Sequence, residues 1–206
     1  MRSMIASLML AALCAGCVGS ALESKREAPE VYRLAAPTLP DAGGPLPAAL
    51  SVGRPRAPVA LDTERIAVAG PGSQFDYYAG VRWAEPAPLM LQQLLVQALA
   101  SDGRFATVVA APSRVPTEYL LDVELRQFEA TREGAGAPAV HVRLQATLLD
   151  SRSGLRLASF VAESTVTAGD DRRAAVVAAF EEATRQAITS TVAAARSSSA
   201  SAGASP

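Results

Sequence analysis

Histidine is almost absent from this sequence, with one copy at position 141, and the only cysteines are Cys14 and Cys17 near the start. An enzyme must bring together groups that move protons, attack carbon or hold a metal, and such scarcity leaves few ways of doing so. His141 sits between Val140 and Val142 on the polar face of a candidate strand, where a solvated side chain is the simpler reading. The serines are densest in the 151–153 turn and the C-terminal tail, and no Gly-x-Ser-x-Gly elbow occurs. Gly134 and Gly136 lack the rest of a dinucleotide fingerprint, and Gly70-Pro71-Gly72 reads as a turn. The pairs Asp170-Asp171 and Glu181-Glu182 are adjacent on a helix, where neighbours diverge by about 100°, so neither forms a convergent carboxylate pair. A dominant charge is missing as well: 19 basic and 20 acidic side chains give a net charge of −1, with no basic patch of the kind nucleic acid requires. The chain therefore reads as non-catalytic, with no cofactor, no metal and no nucleic-acid partner.

No apolar run here is long enough to span a bilayer, which takes roughly 20 residues. The run Met4 to Leu13 instead follows Arg2 and leads into small residues, the layout of an export signal over residues 1–16. Leu13-Cys14-Ala15-Gly16-Cys17 resembles a lipobox, with Cys14 where the pattern usually has leucine or another aliphatic residue. That resemblance implies cleavage before Cys17 and attachment of diacylglycerol to its sulfur, so that acyl chains such as palmitate hold the mature protein on a membrane. The alternative is ordinary secretion with a cut near Ala21. With lipidation Cys14 departs and Cys17 is blocked, which leaves no disulfide and no cysteine metal site. Loss of residues 1–16 removes only Arg2 and takes the net charge from −1 to −2. By analogy with sorting in enteric bacteria, Val18 rather than aspartate after the lipidated cysteine points to the outer membrane, at its periplasmic face. Residues 17–29 read as lipidated cysteine and flexible tether, 30–196 as one folded domain, and the low-complexity stretch 197–206 as a disordered tail.

Within the domain, Val140, Val142, Leu144, Ala146 and Leu148 alternate with His141, Arg143, Gln145 and Thr147, the period of a strand with one buried face. Tyr119 to Phe128 alternates less cleanly, with Leu121, Val123 and Leu125 inward, Leu155 to Val166 is a third strand, and Asp150-Ser-Arg-Ser-Gly154 suits a hairpin joining it to the strand from Val140 to Leu148. Earlier candidate strands are Val31 to Ala35, Ala48 to Gly53, Glu64 to Ala69 and Tyr77 to Trp83. A helix begins at Glu85-Pro86, carries the stripe Leu91, Leu94, Leu95, Ala98 and Leu99, and ends at Asp102-Gly103. A second begins at Asp170-Asp171 and shows Val176, Val177, Phe180, Ala183, Thr184, Ala187, Ile188 and Thr191 on one side. The expected class is α+β, a single domain with an antiparallel sheet and two helices packed on one face.

Aromatic residues are few, ten in all, yet four of them fall between Phe75 and Trp83. Such residues either anchor a protein interface or staple a helix to a sheet. Tyr77, Tyr78 and Trp83 are the candidate partner-binding residues. On a strand the two tyrosines point to opposite faces, so at most one can face the helix-covered core and the other is available to a partner or a neighbouring subunit.

Tyr32-Arg-Leu34, then Arg65-Ile-Ala-Val68, then Tyr78 and Arg82-Trp-Ala-Glu-Pro86 before a leucine-rich helix, and finally Leu149-Asp150 with Gly154, are together similar to the ABC-type transport auxiliary lipoprotein family. The stretch Gly70 to Asp76 departs from it in being glycine-rich where a strongly apolar run is usual. The resemblance implies the outer-membrane component of an intermembrane lipid transport system of MCE (mammalian cell entry) or paraquat-inducible type. Its partners would be an ATPase, a permease and an MCE-type periplasmic protein that the lipoprotein docks, with homo-oligomer formation a further expectation. A structural or envelope-assembly lipoprotein unrelated to transport is the rival reading.

Overall fold

The computed structural model describes residues 28–40, 44–132 and 136–203; Cys17, the signal segment, part of the tether and part of the Glu133–Pro138 loop lie outside them. The longest strand, β6 (Tyr119–Thr131), is the axis of an eight-stranded sheet. At thirteen residues it has room for two strands end to end along one side. There β2 (Leu46–Val52) pairs with its beginning, Leu50 opposite Tyr119, and β3 (Arg65–Ala69) with its end, Ala69 opposite Thr131. On the other side β7 (Ala139–Asp150) runs antiparallel along its whole length, and β8 (Arg156–Thr167) returns beside β7. The sheet thus forks. β4 (Phe75–Trp83) and β1 (Glu30–Tyr32) extend it beyond β3, while β5 (Phe105–Ala110) extends it beyond β2.

The class is α+β as expected, but the sheet is mixed rather than antiparallel. Antiparallel order holds in the β3–β4 hairpin and the β6–β7–β8 meander, whereas β1–β4, β2–β5, β2–β6 and β3–β6 are parallel. Parallel neighbours need a long crossover, and helix α1 (Ala87–Ser101) lies in the one that leads from β2 to its parallel neighbour β5. Helix α2 (Arg173–Gly203) packs on β7 and β8, α1 packs on β5 and β2, and both lie on the same face of the sheet.

Alternation in β7 is as the sequence indicates: Val140, Val142, Leu144, Ala146 and Leu148 are all buried. In β6 the buried set begins as Leu121, Val123 and Leu125 and resumes as Phe128 and Ala130. A bulge between Leu125 and Gln127 inserts one residue and so changes which parity faces inward. The 150–154 turn is held by Asp150, whose carboxylate accepts the N–H groups of Arg152 and Ser153 and the Ser153 hydroxyl, the latter two both at 2.7 Å. These donors hold the Asp150 carboxyl below its usual range. Gly154, at φ +70°, takes the left-handed position a side chain would resist.

At the centre of the core Trp83, Phe128 and Phe180 form a three-ring cluster, with centroids 5.6, 5.2 and 5.0 Å apart. Each ring comes from a different element, β4, β6 and α2, so this cluster joins the β4 arm of the fork to the central strand and the helix. One buried polar side chain does a similar job for the other arm: Gln92 on α1 donates to the carbonyls of Val52 and Ala111, each at 2.9 Å. Helix α2 continues through Gly203, past the Arg196 limit read from composition. Ser197 and Ser198 bond back to carbonyls four residues earlier and Ser199 to one three residues earlier, so a serine-rich stretch with no bulky apolar residue still satisfies its polar groups within the helix.

Candidate interaction surface

β1 runs parallel to β4 with Glu30 opposite Val81, so the chain enters the domain beside the last residues of β4, away from the β3–β4 turn, where Ala69 faces Phe75. Arg173, at the start of α2, reaches Glu30 at 3.4 Å and tethers this entry point to the helix. It also lies over Gly80, where a Cβ would meet the Arg173 guanidinium at 3.1 Å. Gly80 has φ +72° and sits where β4 carries extra residues against β3, since Arg82 faces Arg65 but Tyr77 already faces Ala67. The bulge thus needs glycine both for its backbone and for its space.

Of the three aromatic candidates, Trp83 is fully enclosed by the ring cluster, so its role is packing and no partner reaches it in this conformation. The two tyrosines are half-buried and have different neighbours. Tyr77 lies among surface groups: the Arg65 guanidinium stacks on its ring at 3.6 Å, Phe75 meets it edge-on at 5.5 Å, and its hydroxyl donates to the Ala60 carbonyl at 3.0 Å. Tyr78 turns its hydroxyl into a buried position beside Arg132, which itself pairs with Asp171 ahead of α2. Burial pushes the Tyr78 hydroxyl above its ordinary pKa, and the Arg132 charge opposes that. A cleft of about 360 Å³ opens along this hairpin, lined among others by Val68, Pro71, Tyr77, Tyr78 and Arg132, and Phe75 on the same strand remains 40% exposed. Nothing in the sequence pointed to Arg65 or Arg132 here, because cross-strand and cross-element neighbours leave no local pattern. A second cleft, of about 620 Å³, lies between the segment after β1 and α1, with Arg33, Leu34, Glu85, Met90 and Gln93 on its walls.

On the opposite, uncovered face of the sheet His141 occupies the polar position the sequence assigned it. Its surroundings are more ordered than those of a free surface side chain: Nε2 lies 2.9 Å from the Thr131 hydroxyl and Nδ1 3.0 Å from that of Thr165. Among the described residues no group of three or more His, Cys, Asp or Glu side chains gathers around it or elsewhere. His141→Ala is expected to cost about 1 kcal/mol, the scale of neutral hydrogen bonds at a half-exposed site, and to leave cellular function intact. Thermal unfolding beside a growth or complementation assay checks this; a folded variant without function would return His141 to the catalytic candidates.

Glu129 stands directly opposite His141. Partial burial raises its carboxyl above the usual range, against the opposing pull of His141 and a hydrogen bond from Gln127. A carboxyl whose folded pKa is raised favours the folded state below its unfolded pKa and loses that contribution as pH rises through the folded value. Glu129→Gln is therefore expected to raise the melting temperature slightly at pH 7, with the gain vanishing toward pH 4. Melting curves of both proteins across that range test it, and a lower melting temperature for the variant at pH 7 would contradict it.

No curated protein sequence matches this chain. Among solved structures it is similar to protein XCC0632 from Xanthomonas campestris, at 28% identity over 85% of this chain and 99% of that one, with a TM-score of 0.79. It also shares its fold with an uncharacterized protein (17% identity, 81% of this chain and 97% of that one, TM-score 0.63). The hypothetical protein CT253 from Chlamydia trachomatis is more distant, at 7% identity over 71% and 96% of the two chains and a TM-score of 0.50. The model of the ABC-type transport auxiliary lipoprotein component matches residues 32–192, from the end of β1 into α2 and so across the whole sheet, and the chain belongs to that family.

Proposed function

We propose that this lipoprotein is the non-catalytic outer-membrane component of an MCE-type intermembrane lipid transport system, anchored through Cys17 and docking the periplasmic MCE protein that works with the permease and ATPase. The observation that carries the reading is the family match over residues 32–192, which makes the folded domain, and not only a terminal motif, that of a transport auxiliary component. The hairpin end of the sheet suits a docking role. It offers Phe75 and Tyr77 with the Arg65 charge, an aromatic and arginine combination typical of interface anchors. Tyr78 and Trp83 support that surface from within.

The test is recovery of transporter components with the tagged full-length lipoprotein from detergent-solubilised native membranes. Wild-type protein is expected to bring down the MCE protein, and Tyr77→Ala to reduce that recovery about tenfold with a modest change in melting temperature. Tyr78→Ala is expected to lower the melting temperature more, since its hydroxyl end is buried. Full recovery with Tyr77→Ala moves the docking surface elsewhere on the domain. Absence of every ABC component from the wild-type sample overturns the transporter reading.

A further inference from the structure

The outer edge of β8 has no strand beside it among the described residues: β8 pairs only with β7. It is twelve residues long, contains neither lysine nor proline, and shows solvent a row of exposed side chains that includes Val161 at 46%. Folded proteins usually blunt such an edge with charge, proline or a covering segment, because its free N–H and C=O groups template pairing with another chain. Its only charges are Arg156 near one end and Glu163 toward the other.

The placement of those two charges suggests what covers the edge. On the β7 side Ala158 faces Leu148 while Arg156 faces Leu149, so Leu157 is the extra residue of a bulge. Arg156 therefore joins Ser159, Val161, Glu163 and Thr165 on the uncovered face. If two β8 strands meet antiparallel about a two-fold axis at Phe160, Ser159 falls opposite Val161 of the second copy and Arg156 comes within reach of its Glu163. Symmetry repeats each contact. On the helix-side face the two half-buried Phe160 rings meet at the axis, flanked by Ala158 and Ala162. This register opposes no like charges. It matches both ionic groups at once, whereas within one copy Glu163 has only a loose contact with Arg143, 3.6 Å away, and stays 67% exposed. Arg156 has no ion pair among the described residues.

We infer that β8 is a self-complementary docking edge whose occupant is β8 of a second copy of this chain, giving a two-fold dimer with one continuous sheet. Such an isologous contact closes on itself and leaves the β3–β4 hairpin of each copy free.

The test uses the full-length protein in its own cells. Phe160→Cys places two cysteines directly opposite each other, at a Cα separation that a disulfide accepts, and mild oxidation is expected to give a band of twice the monomer mass. Unsubstituted protein under the same oxidation should give none, which excludes cross-linking through Cys17. Separately, the mass of the detergent-solubilised lipoprotein is measured by light scattering over a concentration series. Arg156→Glu alone and Glu163→Arg alone each oppose like charges twice, and each is expected to weaken the dimer about tenfold or more. The combined R156E and E163R variant should restore it. Monomeric wild-type protein, unchanged association in the single variants, failure of the double variant to recover, or cross-linking of the Phe160→Cys variant only to a different protein each overturns the inference.

Discussion

Trp83→Ala is expected to cost about 3–5 kcal/mol, the range for a large aromatic side chain removed from a core that cannot collapse around the gap. For a domain of this size that corresponds to a fall in melting temperature of about 10 °C. The structural reason is that Trp83 is shared: it touches Phe128 of the central strand and Phe180 of α2, so one truncation loosens the joint between the β4 arm, β6 and the helix. Its indole N–H is buried without an acceptor among the described residues, which gives the prediction a second arm. Trp83→Phe removes that unsatisfied donor while keeping most of the ring, so its cost should be about 1 kcal/mol or less, lost packing being offset by the polar group no longer buried. Thermal or denaturant unfolding of the two variants decides it. Equal destabilisation by alanine and phenylalanine would show that the N–H has a partner the side-chain geometry does not reveal.

The parts of this fold that could be read from sequence are those in which one residue's neighbours in the chain report its environment. The β7 alternation is regular because β7 is paired throughout on both sides and has no bulge among its buried residues. The stripe on α2, from Val176 to Thr191, is legible for the same reason: one face of one helix lies on one face of one sheet, and all eight of its residues are buried. The β6 pattern weakens where the bulge near Arg126 switches parity, a change that periodicity counts as noise. β5 escaped notice because Phe105–Ala110 carries no polar alternation; its middle residues lie between exposed and half-buried, and only Phe105 is buried. The parallel pairings were invisible because nothing local in β2 or β3 records which side of β6 they will join, or in which direction. The candidate interaction surface was half legible. Clustering of aromatics marked the Phe75–Trp83 strand, but which ring is enclosed depends on Phe180, nearly a hundred positions away, and on the Gly80 bulge with Arg173 above it.

Cys17→Ala is expected to abolish lipid attachment altogether, the largest functional effect predicted for this chain. No helix among the described residues is long and apolar enough to cross a membrane, and Met4 to Leu13 falls well short of roughly 20 residues. The candidate interaction surface is also mixed in charge and only partly apolar. A single acyl chain binds a bilayer only marginally, whereas two or more give stable residence, so the diacylglyceryl group proposed on Cys17 would by itself hold the protein on a membrane. Loss of the sulfur should therefore give either an unprocessed precursor of higher mass or a protein recovered in the soluble periplasmic fraction. Incorporation of labelled fatty acid, partition into detergent and precursor size distinguish these cases, and continued labelling of the variant would overturn the assignment of Cys17. Fractionation of the native protein tests the companion expectation from Val18, since recovery with inner-membrane markers would contradict outer-membrane residence. The geometry links this anchor to docking. The chain enters at Glu30, beside the start of α2 and the last residues of β4, and the thirteen residues from Cys17 to Pro29 span at most about 45 Å when extended. On the proposed function, a domain held on so short a leash would stay within reach of a periplasm-spanning partner only where that partner meets the membrane, so a Cys17→Ala protein that folds normally is expected still to fail to support the transporter.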